Sequence, residues 1–104
     1  MLDPVRLSEK EREVFQRVIT VRDPEFGHTL GERGLIDEVK VLGDTAYIVY
    51  HLTVPFCPDV FALYIGSGIR KKALEVPGIV RAHVEVRGHI HAETLNRRLS
   101  ELEK

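Results

Sequence analysis

The chain contains one cysteine, one methionine and no tryptophan in 104 residues. A lone thiol rules out an internal disulfide, so it is free, shared with another chain or bound to something. No apolar run approaches the ~20 residues of a membrane-spanning helix, and the opening "MLDPVRLSEKERE" lacks the apolar core of a signal peptide. A cytoplasmic protein without a membrane partner is therefore expected. No excess of one charge is present either: 15 Lys and Arg stand against 16 Asp and Glu, for a formal net charge of -1. The two signs alternate along the chain, which argues against a nucleic-acid partner. A phosphate cradle is also missing, because Gly66-Ser67-Gly68 lies within a helical pattern and no Gly-Lys-Ser/Thr follows it. The Gly-x-Ser-x-Gly turn of serine hydrolases is absent too.

What is present fits one compact domain over residues 1–104, with 43% apolar and 30% charged positions. Ser8 followed by Glu11 forms a capping box, and Val14, Phe15, Val18 and Ile19 recur at helical spacing, so a first helix is predicted from about Ser8 to Thr20. The stretch "DPEFGHTLGERG" has no sustained periodicity and reads as a loop of roughly a dozen residues. Two strands follow, Leu35 to Leu42 and Thr45 to Thr53, separated by Gly43-Asp44, a pair suited to a tight hairpin. The second strand is apolar on both faces, as a central strand should be.

A second helix is predicted to begin with Pro58 at its first position and to run to about Glu75, burying Phe61, Ile65, Ile69 and Ala73. Gly66 and Gly68 inside it cost ~1 kcal/mol each relative to Ala, which points to a helix crossing its neighbours closely. The third strand alternates Val80, Ala82, Val84 and Val86 against Arg81, His83, Glu85 and Arg87. From Ala92 onward, Leu95, Leu99 and Leu102 form the stripe of a last helix over about 92–103, which covers the sheet or meets a partner chain. The order α-β-β-α-β-α over a core of about 7–87 predicts a two-layer α+β domain, a small mixed sheet with helices packed on it.

Cys57 falls at the start of the second helix. As its N-cap it would face unpaired N–H groups and the positive end of the helix dipole, which stabilise a thiolate. The thiolate is the nucleophilic and metal-binding form; the ordinary alternative is a small buried hydrophobe.

"DPEFGHTLGERGLIDEV", then "LTVPFCPDV" and "VPGIVRAHVEV", resemble the metal–sulfur cluster biosynthesis family that includes SufT-like and PaaD-like proteins and a domain fused to some Mrp-type ATPases. The motifs are Asp23-Pro24-Glu25, then Gly34-Leu35-Ile36, then the Thr53-x-Pro55-x-Cys57-Pro58 turn, spread over about residues 7 to 87. The family's fold agrees with the order read above. The resemblance implies a non-enzymatic role in maturing iron–sulfur proteins, with Cys57 touching iron or a cluster in transit. It also implies partners among the assembly machinery and client apoproteins. Arg33 departs from the family's usual Leu before the glycine, and the ending "RGHIHAETLNRRLSELEK" differs from the aromatic and Pro-rich ending of many relatives.

One thiolate is too few for a cluster that takes four protein ligands, so a homodimer that shares Cys57, or ligands shared with donor or client, is expected. Around Cys57, the long loop offers Asp23 and Glu25 as an oxygen ligand or a hydrogen bond to the thiol, and Thr53 would support the turn. Asp23 has the competing role of accepting backbone N–H groups in its own turn. His89, His91 and Glu93 could make a two-histidine, one-carboxylate site if the third strand continues that far, although histidines near strand ends are common. His28 and His51 read as ordinary polar positions. Two other readings stand beside the carrier: an adaptor for a multicomponent oxygenase or other client that holds no metal, and a thiol enzyme pairing Cys57 with His28 or His51.

Overall fold

Ser8 accepts the Glu11 amide while the Glu11 carboxylate accepts the Ser8 amide, the reciprocal cap expected from the sequence, and it starts α1 (Glu9–Val18) in the computed structural model. The structure describes residues 4–24, 26–52 and 58–102. The Glu11 carboxylate also accepts the Val41 amide at 2.9 Å, which ties this cap to the sheet. Two bonds from backbone N–H groups hold its carboxyl below the usual glutamate range, Ser8 first and Val41 second.

The segment read as featureless loop contains a short helix, α2 (Leu30–Arg33), with a second capping box between Thr29 and Glu32. Gly34 ends it in the left-handed region, at φ 63°, where a side chain would be strained. The glycine of the Gly-Leu-Ile motif thus has a backbone role: it turns the chain from α2 into β1 (Ile36–Leu42). Gly43, also at positive φ, closes the hairpin to β2 (Thr45–His51).

β2 is central, antiparallel to β1 and parallel to β3 (Arg81–Arg87), which it reaches through α3 (Asp59–Leu74). α4 (Ala92–Glu101) folds back against β3 and α3. The helices lie on one face of the mixed three-stranded sheet, which is the expected two-layer α+β arrangement. Ala46, Ile48 and Tyr50 of β2, Ala82, Val84 and Val86 of β3, and Ile65 and Ile69 of α3 form the middle of the core. The other face of β2 is open, with Tyr47 exposed. Among the described residues no helix is long and apolar enough to cross a membrane.

Two glycines of α3 explain its close approach. A Cβ on Gly66 would lie 2.5 Å from Leu99 Cδ2 and 2.9 Å from the Tyr50 hydroxyl. One on Gly68 would meet Val21 at 3.1 Å. The Tyr50 hydroxyl, fully buried, donates to the Ala62 carbonyl at 2.7 Å, so sheet, α3 and α4 are joined at one point. Asn96 of α4 then acts as a strand mimic: its carbonyl accepts the Val86 amide at 2.8 Å and its amide donates to the Val86 carbonyl at 3.0 Å. This satisfies the outer edge of β3 where no fourth strand pairs.

Three details of the sequence reading are corrected. Pro58 is the cap of α3, not its first residue; its carbonyl receives the Phe61 and Ala62 amides, and Asp59 opens the helix. Val80 does not join the buried row of β3: it lies just before the strand, donates to the Asp44 carbonyl and is exposed. Phe61 is only half-buried, and Ala62 and Gly66 complete the inward stripe of α3 with Ile65, Ile69 and Ala73.

Candidate functional site

The three family motifs differ in how far the structure describes them. Glu25, Thr53 and Cys57 lie outside the described residues. The reading of Cys57 as N-cap needs revision, because the cap is Pro58 and Cys57 precedes it by one residue.

Asp23 is described, and its surroundings are those of a turn. Its carboxylate accepts the backbone amides of Phe26, Gly27 and His28, and its own amide donates to the His28 carbonyl. An isolated antiparallel bridge between Arg22 and Thr29 closes the turn, and the Arg22 guanidinium donates to the Gly27 carbonyl. These bonds follow from the short carboxylate of Asp before a proline, which reaches amides three to five residues on. Beyond the turn, His28 Nδ1 lies 3.5 Å from Glu32, whose carboxyl is held below its ordinary range chiefly by the Thr29 amide.

At His89 and His91, β3 does not continue as a two-histidine strand face would require. Gly88, at φ 72°, breaks the strand after Arg87, and His89 and His91 occupy a turn leading into α4. That turn, in place of a strand face, brings their rings to 5.7 Å. His91 donates its amide to His89 Nδ1 at 2.9 Å and serves as the N-cap residue of α4. His89 is buried and His91 exposed.

The carboxylate that meets these rings is Asp59, not the candidate Glu93. Asp59 Oδ1 lies 3.0 Å from His91 Nδ1, and ligand atoms of Asp59, His89 and His91 all fall within 4.8 Å of one another. Glu93 sits in the first turn of α4 and is exposed. Sequence spacing gave no sign of Asp59, because α3 and the turn before α4 are joined only by the fold. The acid in the first turn of α3, directly after Cys57-Pro58, was its single local signal.

His51 is more than an ordinary polar position. Its Nδ1 is 2.9 and 3.0 Å from the two oxygens of Asp37, which is brought alongside by a register shift between Ile36 and Glu38 in β1. Arg87, across β3 from His51, pairs with Glu38 and Glu85. Of the residues named from the sequence, the structure therefore joins His89 and His91 with Asp59, His51 with Asp37, and His28 with Glu32.

Comparison with known proteins shows the chain's family. Residues 11–86 match the family model described as iron–sulfur cluster assembly protein. Over 75 residues, 72% of this chain, the sequence is 33% identical to an iron–sulfur cluster carrier protein of Deinococcus radiodurans, of which the match covers 21%. The chain thus spans about a fifth of the length of that relative. It is also 32% identical over 95 residues to an uncharacterised protein of Methanocaldococcus jannaschii, covering 89% of this chain and 97% of that one. Most of α1, the Gly34 turn, the hairpin and the α3 crossover fall within the matched span, and the chain belongs to the iron–sulfur cluster assembly protein family.

Proposed function

We propose that this protein carries iron–sulfur clusters, or iron, in transit from the assembly machinery to client apoproteins, with the Cys57 thiolate as the group that holds the cargo. The reading rests on the family match over residues 11–86, supported by the likeness to a carrier protein. Cys57 is the only thiol in the chain and stands immediately before the cap of α3. Partial positive charge at a helix N-terminus lowers a thiol's pKa, and a thiolate is the form that binds iron.

Ligand number sets the assembly state. Four ligands hold a typical cluster, and one chain gives one thiolate, so two chains each lend Cys57 and the remaining positions are filled by carboxylate, imidazole or a small thiol. In this reading Glu25 and Thr53, with Asp23, are the neighbours of the Cys57 turn. Of the three, Asp23 contributes through the turn it organises. A thinly ligated cluster exchanges readily, which suits a cytoplasmic carrier that performs no turnover of its own.

The test is anaerobic reconstitution with iron and sulfide of the native chain beside Cys57→Ala, reading visible absorbance, iron content and mass in solution. The expected result is a coloured species with about one cluster per two chains, absent from the variant. If the variant retains as much cluster, Cys57 is not the holding group; if the native chain retains no cluster, an adaptor that docks clients without carrying one takes its place.

A further inference from the structure

We propose that Asp59, His89 and His91 form a binding site for one divalent first-row transition ion, such as Fe(II), separate from a cluster held through Cys57. This inference stands independently of the carrier reading. Its basis is convergence: one carboxylate from the start of α3 and two imidazoles from the turn before α4 bring their ligand atoms within 4.8 Å of one another. Two histidines and one carboxylate on one side of an ion, with the remaining positions open, are a donor set suited to Fe(II) and also to Zn(II). Mg²⁺ and Ca²⁺ prefer an all-oxygen shell and are not favoured here.

The distances fit with little movement. Bonds of ~2.0–2.2 Å place neighbouring donors ~3 Å apart around an octahedral ion. Asp59 Oδ1 and His91 Nδ1 already have that spacing, at 3.0 Å, so the ion replaces the proton they share. His89 has to move a little further. Its Nδ1 now accepts the His91 amide, and ligation through either ring nitrogen gives up that contact for a metal bond. The His91 amide then turns to water, at a cost smaller than the bond gained because the turn is at the surface.

From the first turn of α3, the Asp59 carboxylate reaches the His91 imidazole in the turn before α4. Burial fixes His89, at 7% exposure, whereas Asp59 and His91 are open enough for an ion to enter. The joint of Gly66, Tyr50 and Leu99 then sets the spacing of α3 and α4 on which the cluster of donors depends.

The experiment titrates the full-length chain anaerobically with Fe(II), and separately with Co(II), following bound metal by equilibrium dialysis and the visible Co(II) bands. Native protein and Cys57→Ala are both expected to bind one ion per chain at this site. Asp59→Asn and His91→Ala should weaken binding by about tenfold or more. Asp37→Asn, in the other aspartate–histidine pair, should leave it unchanged. Circular dichroism checks that each variant is folded, and the two informative changes are at accessible positions, so the outcome does not depend on replacing the buried His89. Loss of binding in Cys57→Ala, or undiminished binding in both Asp59→Asn and His91→Ala, overturns the proposal. Cluster reconstitution on the same proteins separates the two readings: Cys57→Ala removes the cluster but spares the ion, and Asp59→Asn does the reverse.

Discussion

Asp23 and Asp59 are both aspartates beside a proline, each near a helix and each within reach of a histidine, yet their carboxylates are used in opposite ways. Asp23 spends its oxygens on three consecutive amides of its own turn. Asp59 presents an oxygen to His91, across the fold. A proline after the aspartate and one before it make the difference: Asp23-Pro24 bends the chain so that amides fold back over the carboxylate, whereas Pro58 caps α3 and sets Asp59 in its first turn, where the carboxylate meets His91. A carboxylate satisfied by backbone is a structural element; one that faces imidazoles is available to a cation.

The contrast is broken most severely by loosening the joint that positions Asp59. Gly66→Ala should destabilise the protein by about 1–3 kcal/mol, despite alanine's better helix propensity, because the new Cβ must displace Leu99 and the bonded Tyr50 hydroxyl. Urea denaturation reads the loss. Asp23→Ala comes next, at about 1–2 kcal/mol, since three amides lose an ionised acceptor but gain access to water; its metal binding should be unaltered. Asp59→Asn should cost only ~0.3–1 kcal/mol in the same measurement, the value of a negative charge in the first turn of a helix, while weakening metal binding about tenfold or more.

The smallest effect concerns acid. The Glu11 carboxyl titrates lower in the folded chain than unfolded, so its contribution is complete above the ordinary glutamate value of about 4.3 and fades as pH falls through its folded pKa. Glu11→Gln should therefore lower stability at neutral pH and flatten its decline on the acid side, which urea melts at several pH values would show.

Much of this architecture was legible because local signals agreed. Ser8 and Glu11 announced α1, Gly43 and Asp44 announced the hairpin, and the alternation from Arg81 to Arg87 announced β3. Val80 continued that alternation in sequence but lies beyond the cover of the helices, so its period was right and its burial wrong. Thr29 and Glu32 carried the same capping signature as Ser8 and Glu11, and the surrounding glycines masked it as loop. The strand mimicry of Asn96 had no local sign, because a side-chain amide at a sheet edge is a tertiary event. The same holds for Asp59: about thirty residues separate it from His89, and only the packing of α3 against α4 brings them together. Cys57 could be named from the family motif, but the cap of α3 is Pro58, and Cys57 lies outside the described residues.

The central claim is transfer of a cluster, and the most direct test follows it from donor to acceptor. Chain reconstituted anaerobically would be mixed with an apo-ferredoxin in the presence of a competing iron chelator, and the acceptor's circular dichroism would be followed with time. The account predicts that the acceptor gains its cluster faster than the chelator gains iron, and that Cys57→Ala supports no transfer. Equal rates with native chain and Cys57→Ala, or delivery of all the iron to the chelator, would contradict it.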